Sequence, residues 1–278
     1  LTGILDFDSK AATLKLTGAT IDLGAQVPGG WTNASSAILD VSNGASNLTF
    51  AGNAGADGSS LSEFKWGDGA TRALTLGDAN IYATSINGQD AASSIIIDGT
   101  VLLSGALSST YGITINAAKE LTLISGTYGE INPASADSGI LNIEGNVTIS
   151  ANSGSGILRI GTLNVASGTL TVDNGVTVYV DNFNVADGAV GAAGLGTVDY
   201  NTTTMGAIEL AGNEVKNIIL PIRNTIKLNG YSLDGYIDFN RYNGKVIFAN
   251  GSEVTAAIDS SVGSASDYGT IEVPDAAT

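Results

Sequence analysis

Residues 138–150 read Ser-Gly-Ile-Leu-Asn-Ile-Glu-Gly-Asn-Val-Thr-Ile-Ser, and this stretch decides the fold. Apolar and polar residues alternate in two short runs, Ile140–Ile143 and Val147–Ile149, and a glycine lies between the runs. Strict alternation directs one row of side chains into a core and the other row into solvent, as in a half-buried β-strand. The stretch therefore predicts two short strands separated by a turn.

The same pattern recurs along the chain at intervals of roughly eight to twelve residues, the spacing that is typical of all-β proteins. Asn-Gly and Asp-Gly pairs separate many of the runs, for example at Asn87-Gly88 and Asn174-Gly175. These pairs tolerate the positive φ angles that tight turns require. Helical periodicity is nearly absent, so we predict an all-β chain.

Two architectures fit many short strands at this spacing, a right-handed parallel β-helix (solenoid) and an antiparallel β-sandwich assembly. The parallel β-helix is favoured because the strands are very short, aromatic residues make up only 6%, and the inward residues are mostly Ile, Leu and Val. The Asn-Gly pairs are also typical of hairpins and keep the antiparallel alternative open. With about 20 to 25 residues per coil, the chain would form about eleven to thirteen coils.

A change in composition near residue 195 predicts two regions. We expect a β-solenoid region over residues 1–195 and a C-terminal β region over residues 196–278, with one continuous domain as the alternative. Tyrosine and basic residues become commoner after the boundary. The glycine-rich stretch 188–196 is predicted to be a loop or joint, and residues 51–60 a flexible loop.

The charge and the missing residue types exclude several classes of function. The chain has 278 residues, with 27 acidic and 11 basic residues and a net charge of −16, which argues against binding to nucleic acid or to anionic membranes. It has no His and no Cys, so a Ser-His-Asp triad, thiolate chemistry and ordinary zinc, copper or haem sites are excluded. Its longest apolar runs, such as residues 218–222, are too short for a membrane-spanning segment.

Two stretches carry a resemblance to a known family. Residues 138–150 and residues 168–180, which read Gly-Thr-Leu-Thr-Val-Asp-Asn-Gly-Val-Thr-Val-Tyr-Val, resemble passenger regions of bacterial autotransporters and related exported β-helix adhesins. The resemblance covers residues 70–190 best and carries no catalytic motif. It implies a right-handed parallel β-helix that is exported to the bacterial cell surface as a passenger or a separate surface subunit. A chain that begins at Leu1 fits a cleaved mature protein or an excised fragment.

We therefore expect an extracellular structural or adhesive surface protein whose rod mediates attachment. One alternative is a self-assembling subunit of a surface layer or filament, in which the strands at residues 3–7 and 270–273 stack end to end. The other alternative is a polysaccharide-active enzyme. The expected partners are neighbouring copies or surface subunits and host or surface glycans.

Carboxylates are the groups on which an enzyme of this composition would depend. Paired acids would serve a hydrolase, and Asp-bound Ca²⁺ with Arg72 or Arg159 would serve a lyase. The candidate pairs are Asp6/Asp8, Asp57/Asp68, Asp173/Asp181 and Asp234/Asp238. Turns and solvated faces are the simpler interpretation, so we predict no catalytic and no cofactor-binding residues. Arg159 is expected at an outward strand position, in a salt bridge or surface role.

Calcium is the cofactor that so acidic a chain would attract, through carboxylates clustered at turns. The Asp-x-Asp-x-Asp-Gly run of an EF-hand does not occur, and the residues of any such site stay unknown. Trp31 and Trp66 both adjoin glycines. If exposed, they would grip sugars, but we expect them to pack at the ends of the fold or to anchor loops.

Overall fold

The computed structural model describes residues 4–24, 30–42, 47–108, 111–155, 158–186, 189–194 and 197–200, together with short strands between residues 225 and 272. Every regular element in these ranges is a β-strand, which confirms the all-β prediction. The strands are β1 (Leu5–Asp6), β2 (Ala12–Lys15), β3 (Thr20–Asp22), β4 (Trp31–Thr32), β5 (Ala37–Asp40), β6 (Asn47–Ala54), β7 (Leu61–Lys65), β8 (Ala73–Asn87), β9 (Ser94–Ile97), β10 (Thr100–Leu107), β11 (Gly112–Ile115), β12 (Glu120–Tyr128), β13 (Ile131–Pro133), β14 (Ser138–Ile149), β15 (Ile160–Val172), β16 (Thr177–Val185), β17 (Val190–Gly194), β18 (Thr197–Tyr200), β19 (Thr225–Leu228), β20 (Ser232–Leu233), β21 (Tyr236–Asp238), β22 (Lys245–Phe248), β23 (Glu253–Val254), β24 (Ala257–Asp259) and β25 (Thr270–Glu272). No helix in the described ranges has the length and apolarity needed to cross a membrane.

Strands of successive coils pair in parallel, which confirms the parallel β-helix. Among the described strands every ladder is parallel, so the antiparallel sandwich was the wrong alternative. The described solenoid has about eight turns, whereas the predicted coil number referred to the whole chain. The repeat length varies more than predicted, because 18 residues separate Ile97 from its partner Ile115 and 29 separate Ile21 from Phe50.

Each full coil has three faces, and each face sends a row of apolar side chains inward. In the first face, the row contains Ile21, Phe50, Leu76, Ile97 and Ile115. In the second face, it contains Ala54, Ile81, Leu103, Leu123, Ile143 and Val165. In the third face, it contains Leu39, Phe64, Ile86, Tyr128, Ile149 and Val172. All of these side chains are buried, and each large one contributes about 1.5 to 3 kcal/mol through burial.

A column of glycines forms the corner between the second and third faces. Gly126 has a φ of +114°, and a Cβ on Gly145 would lie 1.9 Å from the carbonyl oxygen of Ile124 in the preceding coil. Glycine is required there because any side chain would collide with the backbone of the adjacent coil. The corner therefore lets strands β12, β14 and β15 turn from one face to the next while the coils stay closely stacked.

Both predicted loops contain strand in the structure. Residues 51–54 belong to β6, and Ala56 and Ser59 then exchange backbone hydrogen bonds of 3.2 and 2.9 Å across a tight turn. Residues 190–194 form β17, which pairs with β15, while residues 188, 195 and 196 lie outside the described residues. The loop predictions were wrong for residues 51–54 and 190–194, because small residues that suggest flexibility can still form backbone ladders with a neighbouring coil. The domain boundary near residue 195 stays a prediction.

Candidate functional site

A row of mostly polar side chains follows the outside of the second face. Its members are register partners from coil to coil: Asn53, Asn80, Leu102, Thr122, Asn142, Asn164 and Asn184. Because parallel in-register strands repeat about every 4.8 Å, equivalent side chains stand close enough to hydrogen-bond along the rod. We call this set the outer amide row.

In its later part, the outer amide row is a continuous hydrogen-bonded ladder. Asn184 Nδ2 donates to Asn164 Oδ1 at 2.8 Å, and Asn164 Nδ2 donates to Asn142 Oδ1 at 2.7 Å. Asn142 Nδ2 donates in turn to a carboxylate oxygen of Glu120 and, at 3.4 Å, to the hydroxyl of Thr122. The three asparagines are half-buried. Their bonds to each other satisfy polar groups that burial would otherwise penalise, and they tie successive coils together.

Sequence reasoning missed this ladder although its signal is present. The triplets Leu141-Asn142-Ile143, Leu163-Asn164-Val165 and Phe183-Asn184-Val185 each place an asparagine between two apolar residues. Within one triplet the asparagine reads as an ordinary outward residue. Only the register of the coils shows that the asparagines are stacked, and register depends on loop lengths that vary between coils.

A cluster of charged groups lies where the first face leads into the second. Arg159 is only 7% exposed, and its Nε lies 3.1 Å from the carbonyl oxygen of Val180 and 3.5 Å from Asp181 Oδ1. Its guanidinium also lies over the ring of Tyr179, with 5.4 Å between Cζ and the ring centroid. Asp137, two coils before Asp181, hydrogen-bonds the Asp181 carboxyl group. We call Asp137, Arg159 and Asp181 the acid–arginine cluster.

The carboxyl group of Asp181 is held partly protonated near neutral pH. Burial, together with the hydrogen bond and the negative charge of Asp137, raises its pKa to about 7, while the charge of Arg159 opposes the rise. A protonated Asp181 donates its hydroxyl hydrogen to the Asp137 carboxylate. The cluster can therefore hold and release one proton in the physiological range.

The cluster corrects two expectations about these residues. Arg159 was expected at an outward strand position, in a salt bridge or surface role; its side chain is buried rather than exposed, because Tyr179 and the Val180 carbonyl group enclose its guanidinium. The expected salt bridge is confirmed by its contact with Asp181. The interaction partner of Asp181, which lies within β16, is Asp137, which directly precedes β14.

The first predicted acid pair, Asp6 and Asp8, has a local role at a turn. Asp6 Oδ1 accepts hydrogen bonds of 2.9 Å from the Asp8 amide and from Asn33 Nδ2, and these bonds lower the pKa of Asp6. Asp8 forms an exposed ion pair with Lys10 at 2.9 Å. Neither carboxylate is directed at the other, so the structure gives the pair a turn-forming role.

The remaining predicted acids and Arg72 are also accounted for. The Asp68 carboxylate accepts hydrogen bonds from Arg72 Nε at 3.1 Å and from Arg72 Nη2 at 2.9 Å, and these bonds lower the pKa of Asp68. Asp57 is exposed in the tight turn after β6. Asp238 lies in β21 opposite Asp259, and Asp234 lies outside the described residues.

Both tryptophans lie inside the solenoid, each 2% exposed. Trp31 stacks on Phe7 with ring centroids 5.8 Å apart, and Trp66 meets Tyr111 edge to face at 5.6 Å. A sugar cannot reach these ring faces, so the tryptophans contribute packing.

A calcium site stays a prediction. The part of the chain that the structure describes contains no group of three or more acidic side chains arranged to hold a metal ion. Ca²⁺ takes six to eight oxygen ligands, usually with several carboxylates among them.

Comparison with known proteins returned no relative. No protein-family model matches the chain, and no curated protein or solved structure matches it either. What is established about the chain is accordingly its fold, a parallel β-helix.

Proposed function

We propose that this chain is a rigid rod segment of an exported bacterial surface protein, and that it mediates attachment of the cell to its surroundings. The observation that carries the proposal is the outer amide row above an uninterrupted aliphatic core. Inward rows of Ile, Leu and Val stack from coil to coil, and hydrogen-bonded asparagines tie the same coils together on the outside. Such an arrangement resists bending, since each coil is bonded to its neighbours by backbone and core and, in the later coils, by surface asparagines as well.

The composition supports a role outside the cell. A chain without cysteine has no thiols to be oxidised, and its charge of −16 keeps it soluble and away from anionic membranes. The resemblance of residues 138–150 to passenger regions of autotransporters points in the same direction. A stiff, acidic rod suits the task of holding a contact site away from a cell envelope.

Intact cells of the source organism provide the test. Antibodies raised against the purified chain should label unpermeabilised cells, and externally added protease should remove the label. A strain that lacks the gene should attach less to its natural surface, and complementation should restore attachment. Labelling that requires permeabilised cells, or unchanged attachment in the deletion strain, would contradict the proposal.

A second candidate is carboxylate-based cleavage of a polysaccharide, and the acid–arginine cluster favours it. Asp181 has a pKa suited to a general acid or base at neutral pH. The test is release of reducing ends from polysaccharides by the purified chain. Asp181→Asn should abolish the release, and Asp173→Asn, which changes an exposed aspartate nearby, should not. The rod is favoured because Arg159 is enclosed and cannot contact a substrate.

A further inference from the structure

A polar groove crosses the corner between the first and second faces in the early coils. It has a volume of about 540 Å³ and is lined by Asp22, Gly24, Ala51, Gly52, Asn53, Asp78, Ala79, Asn80 and Thr100. A volume of this size falls in the range of ligand-binding clefts. Its floor is made by glycine, and a Cβ on Gly52 would lie 2.7 Å from the Gly24 carbonyl oxygen. The absence of side chains at this corner keeps the groove open.

The two asparagines of the groove belong to the outer amide row, but they form an isolated pair. Asn80 Nδ2 donates to Asn53 Oδ1 at 2.9 Å. The register partner of Asn80 in the following coil is Leu102, whose apolar side chain cannot continue the hydrogen-bonded ladder. Within the described residues, Asn53 Nδ2 and Asn80 Oδ1 have no protein hydrogen-bond partner, so one donor and one acceptor remain for a ligand.

The two carboxylates of the groove are each held by one oxygen. Asp22 Oδ1 accepts from the Gly24 amide at 2.7 Å, and Asp78 Oδ1 accepts from the Thr100 amide at 2.9 Å. These bonds fix the carboxylates beside the groove and leave the second oxygen of each as an acceptor. Ordering a polar side chain before binding reduces the entropy that a ligand must overcome.

The backbone behind the groove is also held in place. The buried side chain of Trp31 donates its indole N–H to the Asn53 carbonyl oxygen at 3.0 Å. The amide of Leu23 donates to the carbonyl oxygen of Ala51 at 3.0 Å. The groove is therefore built on paired strands rather than on a mobile loop, which favours a defined ligand geometry.

We propose that this groove binds a neutral glycan chain through the polar atoms of Asn53, Asn80, Asp22 and Asp78. Sugar hydroxyl groups both donate and accept hydrogen bonds, and the groove offers acceptors on both sides of an amide donor. An acidic glycan would be repelled by the two carboxylates and by the charge of the whole chain. A lone cation would leave the amide donor of Asn53 unused and would find too few oxygen ligands. The inference rests on the proposed function, because it supplies the contact site that an attachment rod needs.

Isothermal titration of the full chain with soluble oligosaccharides tests the proposal. The probes are cellohexaose, mannohexaose, xylohexaose and maltohexaose as neutral glycans, and hexagalacturonate with and without Ca²⁺ as the acidic one. We expect at least one neutral hexaose to bind and hexagalacturonate not to bind. The double variant Asn53→Ala/Asn80→Ala should lose about tenfold in affinity or more, since one hydrogen bond to a ligand is worth about that factor.

Two further variants separate loss of the site from loss of the fold. Ala51→Leu adds bulk in the groove without removing a polar group, and it should abolish binding. Asn164→Ala alters the outer amide row outside the groove, and it should bind as the parent does. Circular dichroism checks that each variant keeps its β-structure.

Three results would overturn the proposal. They are no binding of any neutral hexaose, unchanged binding by Ala51→Leu, and binding of hexagalacturonate that requires Ca²⁺, which would indicate a cation site instead. If electron microscopy shows a rod, any of these three results would contradict only the proposal that the groove binds a glycan. The proposal that the chain is a rod segment would not be affected.

Discussion

The outer amide row has two parts that differ although they occupy the same face and the same register. In the later coils Asn142, Asn164 and Asn184 bond to one another and to Glu120. In the early coils Asn53 and Asn80 form a pair that Leu102 separates from the rest of the row. Identical side chains thus stabilise the rod in one part and present polar atoms beside a groove in the other. What an asparagine does on a β-helix depends on the residues one coil before and after it.

Truncation of the core should have the largest effect, and the effect should be similar in both parts. Ile81 lies beneath the early pair and Ile143 beneath the later ladder, and both are fully buried on the second face. We expect Ile81→Ala and Ile143→Ala each to lower the free energy of unfolding by about 2 to 5 kcal/mol, because each leaves a cavity. Chemical denaturation measures both. A cost below about 1 kcal/mol at either site would show that the interior is not continuous between the two parts.

Removal of one amide should lower the stability more in the later part of the outer amide row than in the early part. Asn164 makes two bonds along the ladder, whereas Asn80 makes one. We expect Asn164→Ala to lower the free energy of unfolding by about 1 to 3 kcal/mol and Asn80→Ala by about 0.5 to 1.5 kcal/mol. Thermal and chemical unfolding of the two variants, compared with the parent, measure the difference. Equal losses at both positions would contradict the division of the row.

The acid–arginine cluster adds a smaller, pH-dependent effect in the later coils. Folding raises the pKa of Asp181 to about 7, so the folded chain keeps a proton that the unfolded chain releases above about pH 4. This contribution to stability is complete below the unfolded pKa and is lost as the pH rises through about 7. Relative to the parent, we expect Asp181→Asn to gain about 1 to 2 kcal/mol between pH 5 and pH 8, since solvent screens part of the interaction.

Stability measured across this pH range provides the check, and Asp173→Asn is the matched control. Asp173 is an exposed aspartate in the turn after β15. Its replacement should leave the pH dependence of the parent unchanged. A variant Asp181→Asn that keeps the full pH dependence of the parent would show that Asp181 is not the titrating group.

Much of the fold could be predicted from the sequence because alternation is a local property. The local alternation predicts which side chains point inward without knowledge of any other coil, as in the run Ile140-Leu141-Asn142-Ile143. The short strands and the scarcity of aromatic residues favoured stacked coils over a sandwich, and the parallel ladders confirm that choice.

The candidate sites could not be predicted because they depend on register between coils. Asp137, Arg159 and Asp181 lie about 20 residues apart in sequence, and loops of unequal length decide whether such residues meet. Sequence proximity suggested Asp173 as the partner of Asp181, whereas the stacking of coils brings Asp137 to it. The same dependence hid the groove, whose walls come from Asp22, Asn53 and Asp78 on different coils.

Cross-linking between coils tests the central claim, which is the parallel, in-register stacking of one coil on the next. The chain has no cysteine, so introduced pairs report only on their own positions. Thr75 and Ile96 are register partners on the outside of the first face, and Ile96 is also the partner of Thr114 one coil later. In-register parallel neighbours stand about 4.8 Å apart, and a disulfide tolerates Cα separations of about 4.4 to 6.8 Å. On mild oxidation, Thr75→Cys/Ile96→Cys should cross-link in high yield within the monomer, and Thr75→Cys/Thr114→Cys should not. Failure of the first pair, or equal cross-linking of both pairs, would contradict the stacking from which the rod, the outer amide row and the groove all follow.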